Sequence, residues 1–236
     1  MRVHHLAIFL GLTTAIASNQ LSVQAATMTY QVQSGTTSLS LSGITTDSLD
    51  KDALSPLSLS SKLDFDIVPP SNNPGIVGTN FTFSYDDQTK AFTPLSGAIE
   101  HTGSIAFNVD TTKLALLSPF EIGNFSLEFD NAGYYLRDNV STGQRLFDLK
   151  INNAPTFDGT NLLIEGADVA FSQDFDTILD NAAGYDVALA GLTVGQARVS
   201  ATAVPEPEAN IGISLILAAG MAAIIRRRHR AKKLEF

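Results

Sequence analysis

Between residues 26 and 203 the chain offers one histidine, His101, so any chemistry that needs an imidazole must use it. A Ser/His/Asp arrangement would place a hydroxyl nucleophile on one side of that ring and a carboxylate on the other. No Gly-x-Ser-x-Gly elbow is present to nominate the serine. Cysteine is absent, which removes thiol nucleophiles, thiolate zinc sites and disulfides. His101 therefore reads first as a sheet-surface or turn residue, and second as a haem, metal or catalytic group.

Carboxylates are the other candidates. Asp64/Asp66, Glu128/Asp130 and Asp174/Asp176 each stand two residues apart, a spacing that puts both side chains on one face of a strand. Such pairs could hold Ca²⁺ or divide acid and base roles in glycoside hydrolysis. The loops lack the Asp-x-Asp-x-Asp-Gly spacing of a calcium hand, and a chain without tryptophan supplies sugar platforms poorly. Solvated strand faces are the simpler account. Tyr134 and Tyr135 follow the turn sequence Asp130-Asn131-Ala132-Gly133, so one ring is expected in the core and the other in solvent, where it could stack on a sugar. No catalytic residue, metal set or cofactor emerges, and the chain reads as non-enzymatic.

The elements that must carry these residues are strands. Thr37 to Gly43, Leu63 to Val68, Phe81 to Tyr85, Ile99 to Val109 and Phe125 to Phe129 alternate with period two. Further candidates are Gly133 to Arg137, Arg145 to Asn152, Asn161 to Phe171, Asp186 to Ala190 and Ala197 to Ala203, with one short helix from Asp174 to Ala183. One-sided alternation repeated this often predicts an all-β body, an antiparallel sandwich or barrel. The proline-rich stretch Ile67 to Thr79 predicts a long loop and a weak domain boundary. The body, residues 26–203, holds 8 Lys/Arg against 21 Asp/Glu, and so repels nucleic acid.

Both ends differ from this body. Residues 1–25 carry Arg2, an apolar run from Leu6 to Ala17, and small or apolar residues Val23 and Ala25 at cleavage positions, the pattern of a secretory signal peptide. At the other end Val204-Pro205-Glu206-Pro207 precedes a 17-residue apolar run over 209–225, which as a helix would span about 25 Å. The cluster Arg226, Arg227, Arg228 and Arg230 follows and would stop transfer on the cytoplasmic side. The two prolines hold the segment between body and helix extended.

Residues 204–236 resemble the PEP-CTERM sorting segment of Gram-negative bacteria and cyanobacteria. The resemblance implies recognition at Val204, Pro205, Glu206 and Pro207, an exosortase-type membrane protease as partner beside signal peptidase and the secretion machinery, and a setting of exopolysaccharide and biofilm. Parts of the body, Gly97 to Gly103, Ile122 to Phe125 and Arg145 to Leu149, resemble a domain of other exported PEP-CTERM proteins to which no activity attaches. The His101-Thr102-Gly103 stretch resembles β-rich exported haem-uptake domains.

The reading is a surface or extracellular-matrix protein, structural or adhesive, transiently anchored in the inner membrane with its C-terminus cytoplasmic. The alternatives are a sugar- or haem-binding module and, behind it, a polysaccharide hydrolase. Sequencing the exported protein should give an N-terminus at Ala26; an intact Met1 would remove the signal-peptide reading.

Overall fold

The computed structural model describes residues 28–41, 53–56 and 63–206. The segment expected to be a signal peptide, with Val23 and Ala25, the helix expected at 209–225, Pro207, and Arg226, Arg227, Arg228 and Arg230 lie outside the described residues. Among the described residues no helix is long and apolar enough to cross a membrane.

Fourteen strands and one helix follow in chain order: β1 (Met28–Leu41), β2 (Leu54–Pro56), β3 (Leu63–Ile67), β4 (Thr82–Tyr85), β5 (Phe92–Ser96), β6 (Ile99–Thr102), β7 (Ser104–Val109), β8 (Phe120–Gly123), β9 (Ser126–Asp130), β10 (Gly133–Arg137), β11 (Arg145–Ile151), β12 (Thr156–Phe157), β13 (Asn161–Phe171), α1 (Gln173–Ala183) and β14 (Thr193–Pro205). Eight of them close a barrel in the order β1, β3, β6, β9, β10, β11, β13, β14 and back to β1, every pair antiparallel. Of the two architectures expected from the alternation, the barrel is the one formed. Strands β4 and β5 extend the sheet from the first half of β1, β12 pairs with β13, and β2, β7 and β8 form a separate sheet.

Closure rests on the first and last strands. They pair from Tyr30↔Pro205 to Leu41↔Gly195, with an irregularity between Val32 and Ser34. β14 sends Val194, Ala197, Val199, Ala201 and Ala203 inward, small side chains that let it lie close to its neighbours. At Gly35, opposite Ala201, a Cβ would stand 2.2 Å from the Ser200 carbonyl oxygen and 2.6 Å from Ala201 Cα, and φ is +142°.

Aromatic rings fill the space on either side of the barrel core. Tyr30, Phe83, Tyr85 and Phe157 meet where β4 and β12 face each other, with Phe157 in edge contact with the other three. Elsewhere α1 buries Phe175 and Leu179, and Phe175 packs on Phe147 and Phe171. Ser172 caps that helix by accepting from the Phe175 N–H, and Gly184 ends it in the left-handed region.

Four expectations change. Ile99 to Val109 is not one strand: Gly103, at φ +119°, turns the chain out of the barrel sheet into the β2-β7-β8 sheet. Asp186 to Ala190 is a loop whose alternation arises because Val187 and Leu189 are buried, their N–H groups donated to Asp180 and Asp176 of α1. Ile67 to Thr79 is a loop but not a boundary, since Val68 and Thr79 hydrogen-bond each other and Val68 bonds Glu100 of β6. Finally, β14 runs past Ala203 through Val204 and Pro205, and the Glu206 N–H donates to Thr29 O at 3.0 Å.

Adding a side chain at Gly35 should therefore open the closing pair. Gly35→Val is expected to cost at least about 3 kcal/mol in urea unfolding, whereas Gly133→Ala, with no atom near its Cβ, should cost about 1–2 kcal/mol from backbone strain alone.

Candidate functional site

An eight-stranded barrel can be a packed core or can hold one small ligand. Here the interior is packed. Thr37, Leu127, Tyr134, Leu136, Leu149, Ile164, Ala167 and Val199 surround a space of about 10 Å³, and Thr37, Leu39, Phe65, His101, Phe125 and Leu136 surround another of about 10 Å³. Each is room for roughly one water.

His101 belongs to this interior, at 3 % exposure, and not to the sheet surface or a turn as its sequence context suggests. Its Nδ1 lies 2.8 Å from the Phe125 carbonyl oxygen, which can only accept, so Nδ1 carries the proton. Nε2, 2.7 Å from Thr37 Oγ1, then accepts from that hydroxyl. Burial lowers the ring's pKa from 6.5 to about 4, against two backbone hydrogen bonds that would raise it. Both nitrogens are engaged and the space beside the ring is about 10 Å³, so in this structure His101 is a neutral residue of the packed wall. The sequence placed Phe125 in an alternating segment; it gave no sign that the hydroxyl of Thr37, 64 residues from His101, would meet the ring.

Tyr134 and Tyr135 divide as their alternation requires. Tyr134 faces inward near Phe129, and burial pushes its phenol up to about 12. Tyr135 faces outward but is clasped. Its hydroxyl donates to Glu128 Oε2 at 2.6 Å, and the Arg145 guanidinium lies 4.4 Å from the ring centre, where a sugar would stack. Arg137 also donates to Glu128, through Nε at 2.9 Å. Burial alone would raise the Glu128 carboxyl, but the hydrogen bonds from Arg137 and Tyr135 outweigh it and hold the group below the ordinary carboxylate range. Nearby Glu100 moves the other way: it is half-buried and close to the charge of Glu128, so its carboxyl is raised.

The carboxylate pairs are each tied to other partners. Asp64 accepts from Ser38, and Asp130 pairs with Arg145 at 3.1 Å. Asp174 and Asp176 do not share a strand face, because they lie in the first turn of α1; Asp176 is buried and accepts from Leu189 N–H at 2.7 Å. Among the described residues no group of three or more His, Cys, Asp or Glu is placed to hold a metal ion.

A concavity with polar side chains in its lining lies on the outside of the barrel. Between Ile164↔Val199 and Ala167↔Ala197, Glu165 and Gly166 of β13 stand opposite the single residue Arg198 of β14. This is a β-bulge, with Gly166 at φ +67°, and it bends the strand locally. A groove of about 320 Å³ opens there, lined by Ser38 and Ser40 of β1, Gln196 and Arg198 of β14, and Glu165 and Gly166. Arg198 Nε lies 3.2 Å from Glu165 Oε1, both side chains more than half exposed, and Gln196 Nε2 lies 3.4 Å from Asp168 Oδ1. An isolated glycine inside the strand pattern Asn161 to Phe171 was the sequence signal for the bulge. Nothing in the sequence brought Ser38 and Ser40 to it.

No family model matches the chain, and no curated protein matches it. Among solved structures it is similar to the C-terminal domain of HtaA from Corynebacterium glutamicum, at 16% identity and a TM-score of 0.39, over 73% of this chain and 99% of that one.

The His101 ring makes stability pH-dependent. The unfolded chain takes a proton near pH 6.5 and the folded ring resists it to about 4, so this contribution is whole above pH 6.5 and is lost as the pH falls towards 4. The loss should reach about 3 kcal/mol, and His101→Gln should flatten that part of the stability curve in urea titrations from pH 7 to 4.

Proposed function

We propose that this chain is an exported surface or extracellular-matrix protein, structural or adhesive, that binds exopolysaccharide through the outer wall of its barrel. Passage through the secretion machinery, removal of the front end by signal peptidase and trimming of the tail by an exosortase-type protease complete the reading. The observation that carries the binding step is the contrast between the two sides of the wall. Inside, about 10 Å³ remains in each space; outside, about 320 Å³ stands open at the bulge. Hydroxyls from Ser38 and Ser40, the amide of Gln196, and the Arg198–Glu165 ion pair offer paired donors and acceptors of the kind that hydroxyl-rich ligands need.

The described body also suits processing at both ends. Its first strand begins at Met28, three residues after Ala25, and its last ends at Pro205, inside the Val-Pro-Glu-Pro segment. Barrel closure thus uses β1, which starts after the first expected cut, and β14, whose last two residues enter the motif. None of the three spaces described above is lined by two carboxylates, which favours binding over hydrolysis.

Affinity electrophoresis of the mature protein through gels containing neutral and acidic bacterial polysaccharides tests the binding step. Arg198→Ala with Gln196→Ala should weaken retardation by about tenfold, the worth of roughly 1.4 kcal/mol, with an unchanged melting temperature. Equal retardation of the two proteins would move the interaction away from the bulge.

A further inference from the structure

We infer that residues of β1, chiefly Thr29 and Tyr30, are determinants of tail processing, because they hold the start of the sorting motif in the barrel's closing seam and must release it before a protease can read it. This rests on the reading of residues 204–207 as a sorting motif. Val204 pairs with Gln31 and Pro205 with Tyr30, and the Glu206 N–H donates to Thr29 O. A protease reads its substrate as an extended strand through backbone groups on the strand's edges. Here the β1 side of Val204–Glu206 is occupied, and immediately upstream the Ala203 N–H is donated to Thr160 O, so the fixed wall reaches to the edge of the motif.

The hold has a side-chain part and a backbone part that ends within the motif. Tyr30 is buried and packs on Phe157 at 4.5 Å and Phe83 at 5.5 Å, which fixes the β1 half of the pair. Pro205, opposite Tyr30, stands at a non-hydrogen-bonded position of the ladder, and the Glu206 N–H beyond it is the outermost backbone donor of the seam among the described residues. Such an end opens locally far more often than the barrel unfolds. Trimming then follows the opening of three residues, and its rate is set by how firmly β1 keeps them.

A cross-link across the pair tests this in the full chain, in cells that carry the sorting protease. The sequence has no cysteine, so Gln31→Cys with Val204→Cys can form one disulfide only, and directly opposed residues are within reach of one. Diamide takes the two thiol hydrogens; dithiothreitol returns them. The length of the tail is read by mass spectrometry in a pulse–chase. The oxidised double variant should be trimmed at least about tenfold more slowly than the same variant reduced, a comparison in which the change at Val204 is common to both arms. Equal trimming of the oxidised and reduced forms would overturn the inference. Wild-type protein that keeps Phe236 throughout would instead overturn the sorting-motif reading. Tyr30→Ala leaves the motif intact and loosens β1, so it should be trimmed several-fold faster than wild type. An unchanged or slower rate would overturn the inference even if Val204→Cys by itself impaired recognition.

Discussion

The hydrogen-bonded pairing of β1 with β14 is the constraint on which the rest depends. Remove it and the eight strands become an open sheet with two unpaired edges and an exposed apolar face. The ends of the described body are brought together by this one pair, and it needs the whole body to be present before it can form. Its close fit at Gly35 and the small residues along β14 show how it is achieved. Side-chain bulk is given up where the strands must approach, and volume is recovered by phenylalanine and tyrosine rings on either side.

Buried polar groups serve that closure. Thr37 of β1, His101 of β6 and the Phe125 carbonyl beside β9 form a chain of hydrogen bonds across the interior. Asp138, fully buried, accepts from the N–H groups of Gly123, Val140, Ser141 and Thr142 and from the Thr142 hydroxyl, which fixes the turn between β10 and β11. Asp176 does the same for the loop after α1. No buried side-chain nitrogen or oxygen among the described residues lacks a partner. Groups whose types suggest chemistry are thus used as acceptors and donors that hold backbone in place.

The two interior spaces are small, and on the outer wall the bulge in β13 makes a groove where a regular sheet would be smooth. The Glu128–Tyr135–Arg137–Arg145 cluster is a second polar region, but its groups satisfy one another and contribute at most about 1 kcal/mol per exposed pair.

The sequence by itself determined the strand-rich class, most barrel strands and that Tyr134 and Tyr135 face opposite sides of the sheet, because period-two alternation is a local property that burial on one face imposes. It also marked residues 204–207 as distinct. Which strands meet is not local, and only the tertiary structure decided it: that β1 meets β14, that Thr37 reaches His101, that Gly103 turns one apparent strand into two, and that Asp176 anchors a loop instead of facing solvent. The same holds for the groove, since Ser38, Glu165 and Arg198 are far apart in the chain and adjacent solely through the register of three strands. Residues 204–206, at the body's end, show both halves at once. Pro205 favours an extended chain there, and the pairing of Val204, Pro205 and Glu206 with Gln31, Tyr30 and Thr29 makes these residues part of the wall.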